Sequence, residues 1–104
     1  MPLLHGDKML SSIIAAIQNR QVLSLTYDGI DRIVEPHTVG VSKTGNDVLR
    51  CYQTAGGHIT PGHEWDLLLL NRIRNLTTTS MTFSSPRPGY KKRDRDMTRI
   101  YAEL

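Results

Sequence analysis

Arg50 and Tyr52 stand two residues apart in the stretch VLRCYQT, Val48 to Thr54. Apolar, β-branched and aromatic residues dominate it, so it reads as a strand with side chains alternating between two faces. Leu49, Cys51 and Gln53 then share one face, and Val48, Arg50, Tyr52 and Thr54 share the other. An arginine fork beside an aromatic plate suits a phosphate or a nucleobase, because guanidinium grips oxyanions bidentately and rings stack on bases. The same fork serves equally well in a structural ion pair, with Glu35 or Asp66 as the carboxylate. Glu35 and His37 form a second pair, two apart on an extended segment and so on one side, available to a ligand or to neighbouring backbone groups. Arg32 lies one residue off that alternation and joins them only if a bulge re-aims it.

Other chemistry is thinner. The sequence holds no nucleophile elbow, no glycine-rich loop leading into a helix and no telling pair of carboxylates, so the chain reads as non-enzymatic, with no catalytic residue. His58 and His63 flank a Gly/Pro turn downstream of Cys51, but zinc sites bring paired ligands at tight spacing and there is one thiol. Neither a metal nor a cofactor is expected, and the histidines read as surface loop residues. The lone Cys51 has no intramolecular disulfide partner and reads as a buried, reduced thiol. Trp65 reads as a core or barrel-rim residue before a ligand platform. PRPGY, Pro86 to Tyr90, reads as a stiff connector that lays Arg87 and Tyr90 back across the strands rather than as a free docking peptide. From Arg87 onward, Arg87, Lys91, Lys92, Arg93, Arg95 and Arg99 face only Asp94, Asp96 and Glu103. The run KKRDRD reads first as a solvated loop with partly cancelling charges, and second as a segment that attracts phosphates.

The elements that must position these residues follow from periodicity. Leu10, Ile13, Ile14 and Ile17 recur at helical spacing, which predicts a helix over about 9–19. Asp7 or Ser11 is its expected cap and Asn19 its left-handed stop. QVLSLTYD then alternates, with Leu23, Leu25 and Tyr27 on one face, and Asp28-Gly29 turns the chain into DRIVEPHTVGVS. Pro36 demotes the middle of that strand to an edge or a bulge. KTGND is a second turn, AGGHITPGH a loop, EWDLLLL a strand, NRIRNL a short turn or helical piece, and TTTSMTF a last strand. The expected fold is mainly β (α+β): an N-terminal helix, then a small Sm-like or SH3-like antiparallel five-stranded β-barrel over about 22–83. Closure would bury both Leu67/Leu69 and Leu68/Leu70. A basic C-terminal tail, 84–104, follows and ends in a short packed segment through Met97, Ile100 and Tyr101.

A chain of 104 residues with a formal net charge of +3 is a single domain with one modest core, and its charge permits an anionic partner without requiring one. No apolar run approaches the roughly 20 residues that span a bilayer. MPLLHGDKML is unlike a signal peptide, which predicts a cytoplasmic protein with no membrane partner.

In order and spacing, these segments resemble the WYL domain, in particular its small stand-alone bacterial and phage-associated relatives. The likeness runs from about Leu10 to Leu104: the AI helix, LSLTYDG, RIVEPHTVG, GNDVLRCYQT, a tryptophan before LLLLNRIRNL, a terminal phenylalanine, then PRPGY and MTRIYAEL. The tripeptide that names the family is absent, for its place reads Val48-Leu49-Arg50 and the tryptophan comes later, at Trp65. The resemblance implies an Sm-like barrel acting as a ligand-sensing module that binds nucleotides or nucleic acid, often in phage defence. Carried onto this sequence, ligand binding falls to Arg32, His37, Arg50, Tyr52, Gln53 and Arg72, with Glu35, Trp65, Arg87 and Tyr90 as accessory contacts. Without a helix-turn-helix, the module is expected to act in a bacterial or phage-infected cell as a sensor or sponge, through a partner, self-association or its ligand alone. The alternatives are sequence-independent nucleic-acid binding by the basic C-terminal segment, or a homodimer or homo-oligomer built on an uncovered sheet edge near Pro36.

Overall fold

The computed structural model describes residues 5–57 and 62–104. Helix α1, His5–Gln18, buries Met9, Ile13, Ala16 and Ile17; of the expected stripe, Ile13 and Ile17 are buried, while Leu10 and Ile14 lie at its margin, partly buried against the core. Its ends differ from expectation. Asp7 and Ser11 lie inside the helix rather than capping it. Arg20, not Asn19, takes the left-handed conformation (φ 52°), because the Asn19 N–H still donates to the Ala15 carbonyl and prolongs the helical bonding.

Strand β1, Gln21–Tyr27, turns through Asp28 and Gly29, both at positive φ, into β2, Ile30–Ser42. Two left-handed residues make the tight turn whose twist matches antiparallel strands, which is why Asp-Gly stands there. Strands β3, Asp47–Gly56, and β4, Trp65–Leu69, follow. A 3-10 turn at Leu70–Arg72 leads into β5, Ile73–Thr82, and the chain ends in β6, Met97–Glu103. The pairings are all antiparallel, in the order β4-β3-β2-β1-β5, with β6 added on β2.

Two corrections follow. There are six strands, not five, because the end of the expected tail is itself a strand. The sheet is also open, ending in β4 and β5, where closure into a barrel was expected. With no closure, Leu68 and Leu70 are buried while Leu67 remains exposed and Leu69 half-buried.

Strand β2 is the spine. Val34 is its last residue opposite β1, and Thr38 its first opposite β6, so β2 changes neighbour across Glu35–His37. Pro36, which has no N–H to give a ladder, occupies that gap. Opposite β3, Pro36 faces Cys51 and Thr38 faces Arg50, leaving His37 as the extra residue of a bulge. The bulge alternative for Pro36 is thus the one realised. The uncovered edge expected near Pro36 shrinks to the Glu35–His37 gap between β1 and β6, where the His37 carbonyl accepts the Leu104 N–H at 3.0 Å. Behind the sheet, α1 closes over Leu23, Leu25, Val34, Val39, Leu49, Cys51, Leu68 and Ile73.

Candidate functional site

Residues 84–96, here the strap, cross from the end of β5 to the start of β6 over the Arg50/Tyr52 side of the sheet. Pro86 and Pro88 keep the strap out of helix. Arg87-Pro88-Gly89-Tyr90 forms a turn, with Gly89 at φ 93° and the Tyr90 N–H donating to the Arg87 carbonyl at 3.1 Å. A Cβ on Gly89 would stand 3.2 Å from Trp65 Nε1, so the glycine also lets the turn sit against the indole.

Four residues of β2, β3 and β4 receive this turn. Glu35, with 7% of its side chain exposed, takes the Arg87 guanidinium bidentately, at 2.7 Å from Nε and 2.9 Å from Nη2. The guanidinium lies 4.8 Å above the Tyr52 ring. His37 Nε2 accepts the Arg87 backbone N–H at 3.1 Å, and the Trp65 indole N–H donates to the Pro88 carbonyl at 3.0 Å. His37 is fully buried, and its Nδ1–H donates to the Glu35 carbonyl at 2.8 Å, which fixes the neutral tautomer. Its ring is boxed by Trp65 at 4.7 Å, Phe83 at 5.6 Å and Tyr90 at 5.3 Å. Burial holds the imidazole pKa below its usual range; the bond to the Glu35 carbonyl and the Glu35 charge oppose this, and Arg87 adds to it. The hydrogen bond to Glu35 raises the pKa of Arg87.

Farther along, Arg50 is held by two strap carboxylates. Its Nε donates to Asp94 at 2.8 Å, and its Nη2 to Asp96 at 2.6 Å and to Asp94 at 3.3 Å. Burial alone would raise the Asp94 carboxyl, but the hydrogen bonds from Arg50 and from the Asp96 N–H override it and hold Asp94 below the usual range. The bond to Asp94 likewise raises Arg50. With its aspartates in direct ion pairs with Arg50, the strap's cations after Arg87 are left without a direct partner, although Arg95 lies near enough to Asp94 to help lower its carboxyl pKa. Lys91, Lys92, Arg93 and Arg95 have no ion-pair partner among the described residues. These four line an open groove of about 420 Å³ with Arg50, Trp65, Tyr90 and the two strap carboxylates, Asp94 and Asp96.

The expected site residues therefore divide. Glu35, His37, Tyr52, Trp65, Arg87 and Tyr90 meet in one cluster, with Arg50 beside it under the same strap. Gln53 is buried on the core side, where its amide donates to the carbonyls of Ala55 and Gly57. Arg32 and Arg72 form a separate group on the Tyr27 ring, at 5.3 and 5.4 Å, with Arg32 also on Asp66 and Arg72 on Asp28. The ion pair expected between Arg50 and Glu35 or Asp66 is replaced by three separate pairs. Arg50 binds the strap aspartates, Glu35 binds Arg87, and Asp66 binds Arg32. Sequence reading missed Asp94, Asp96 and Phe83. The available signals were the D-R-D alternation, which spaces two carboxylates to straddle one guanidinium, and the position of the sole phenylalanine directly before the strap.

Cys51 is buried in the core, where burial pushes its thiol pKa up, whereas His63 is exposed and His58 lies outside the described residues. Among the described residues, no group of three or more His, Cys, Asp or Glu side chains is placed to hold a metal ion, and no helix is long and apolar enough to cross a membrane. No family model, curated protein or solved structure matches the chain.

Proposed function

We propose that this chain is a non-enzymatic, WYL-like binding module for a nucleotide-like or oligonucleotide anion, and that the anion lies in the groove between the strap and the β3–β4 rim. The observation that carries the reading is a groove lined by four cations that make no direct ion pair among the described residues, Lys91, Lys92, Arg93 and Arg95, beside Trp65 and Tyr90, while its two acidic residues, Asp94 and Asp96, are engaged by Arg50. Phosphates supply the partners these cations lack, and the two aromatic side chains offer ring surface to a base. The groove lies within the size range of small-ligand sites. This moves the binding surface along the strap, from the Arg87 turn, where Glu35, His37 and Tyr52 are already engaged, to the groove beside Arg50.

The test is fluorescence anisotropy with labelled single-stranded oligonucleotides, run beside a thermal-shift screen of mono-, di- and cyclic nucleotides. The double variant Lys91→Glu/Lys92→Glu is expected to weaken binding at least about 10-fold, the effect of losing roughly 1.4 kcal/mol of interaction. Undiminished binding in that variant, or no binding by the wild type, overturns the reading. A second reading, nonspecific nucleic-acid binding, draws on the same four cations. It is distinguished by a steep salt dependence, with a log–log slope near about −3 if all four meet phosphates of a single strand.

A further inference from the structure

The two carboxylates on Arg50 hold different edges of its guanidinium. Asp94 takes the Nε/Nη2 edge, at 2.8 Å from Nε and 3.3 Å from Nη2. Asp96 meets Nη2 alone, at 2.6 Å, and Nη1 makes no hydrogen bond to any described residue. Each Nη of the planar guanidinium carries two hydrogens, and on Nη2 one lies beside Nε and the other is turned toward Nη1. With Asp94 on the first, Asp96 stands at the Nη1/Nη2 edge, which is able to take a phosphate through two parallel N–H···O bonds.

The two holds are also unequal in strength. Asp94 has 9% of its side chain exposed and also accepts the Asp96 N–H at 3.0 Å, so releasing it would strand a covered charge. Asp96 is 49% exposed, and Nη2 is the one partner of its carboxylate among the described residues, so water serves it when it leaves. The backbone stays in place during such a release, because the Asp94 carbonyl accepts the Met97 N–H at 3.1 Å whichever way the Asp96 side chain turns. Asp96 lines the same open groove as Lys91, Lys92, Arg93 and Arg95, where an incoming anion meets it directly.

Building on the anion-binding reading of this groove, we propose that Asp96 stands where a ligand phosphate sits. On binding, two oxygens of one phosphate take Nη1 and Nη2, the Asp96 side chain turns out to water, and Asp94 keeps Arg50 in place. Arg50 is then the residue that reads the geometry of the phosphate, while the four cations around it supply attraction. Asp96 sets the threshold, since only an anion that outcompetes a carboxylate on the fork is held there.

The experiment measures the anisotropy of a 3′-fluorescein single-stranded oligothymidylate, carrying a 5′-hydroxyl or a 5′-phosphate, against the full chain and its Asp96→Asn variant. The variant is expected to bind about 3–5-fold tighter, the scale of one exposed ion pair removed from competition. Neutralising any acid near a basic groove also gives a gain, but a charge acting through solvent is screened. The ratio of affinities should therefore hold between about 0.05 M and about 0.3 M salt, over which the Debye length falls from roughly 14 Å to roughly 6 Å. In the Arg50→Lys background, which keeps the charge but lacks the fork, the ratio should fall to about one. A gain with both probes puts a phosphodiester on Arg50, and a gain with the phosphorylated probe alone puts a terminal phosphate there. Wild-type binding with no gain, or a gain that salt removes or Arg50→Lys leaves intact, overturns this proposal while the anion-binding reading stands. No binding by either chain overturns both. Asp96→Ser carries the same expectations where Asp96→Asn fails to fold.

Discussion

Removing the two halves of the Glu35–Arg87 pair has unequal consequences, because Glu35 is 93% covered by the measure on which Arg87 is 40% exposed. Arg87→Ala leaves a buried carboxylate with neither its partner nor water, whereas Glu35→Gln leaves a half-exposed guanidinium that water can serve. Urea unfolding is expected to show a loss of about 1 kcal/mol for Glu35→Gln and about 2–3 kcal/mol for Arg87→Ala. The reverse order would mean that Glu35 is anchored by something other than Arg87. The pair was half legible in the sequence: Glu35 and His37 were read as sharing a side, and Arg87 as lying back across the strands. Their meeting was not, because it depends on the His37 bulge and on the neighbour change in β2, and register is a tertiary property that local alternation does not encode. The same limit explains Arg50. Its outward orientation was readable, but the carboxylates that meet it lie 44 and 46 residues downstream.

The elements divide along a similar line. Helix α1, the Asp-Gly hairpin and the first strands follow from uninterrupted periods of 3.6 and 2, and they form close to where those periods place them. Strand β6 was read only as a packed segment because its apolar residues do not alternate. Met97, Ile100 and Tyr101 fall out of step, and the pairing shifts register between Ala102 and Ile100 opposite Val39 and Gly40. Gly40 is the position that admits this strand. A Cβ there would overlap the Arg99 carbonyl and come within 2.9 Å of Met97 Sδ and 3.0 Å of Ile100 Cα. Two of those three neighbours are backbone atoms, which cannot rotate away. Gly40→Ala is therefore expected to push β6 off β2 at a cost of about 1–3 kcal/mol. Hydrogen exchange checks it: amides of residues 99–103 should lose protection while those of α1 and β1 keep theirs. Uniform loss across the sheet would mean that β6 is an integral part of the fold rather than an addition to it.

At the scale of the whole molecule, the strap makes stability depend on one buried proton acceptor. His37 Nε2 serves as an acceptor for the Arg87 N–H only while the ring is neutral, and Trp65, Phe83 and Tyr90 enclose the imidazole. Of the charged groups beside it, Glu35 favours protonation and Arg87 opposes it, but burial dominates and the folded pKa lies below the usual 6.5. In the unfolded chain the ring takes up a proton near 6.5, while in the folded chain it resists. The stabilisation is thus fully present above about pH 6.5 and declines as pH falls toward the folded pKa, at no more than about 1.4 kcal/mol per pH unit for one proton. Asp94, held below the usual carboxylate range by Arg50 and the Asp96 N–H, adds a second loss only at more acidic pH, so the two are separable. Unfolding free energies measured from pH 8 to pH 5 should be flat above pH 7 and slope downward below 6.5. In His37→Gln, whose amide retains a donor and an acceptor but does not titrate, that slope should vanish. If it persists in the variant, the proton is taken up by another group, and the strap is not held by the neutral imidazole.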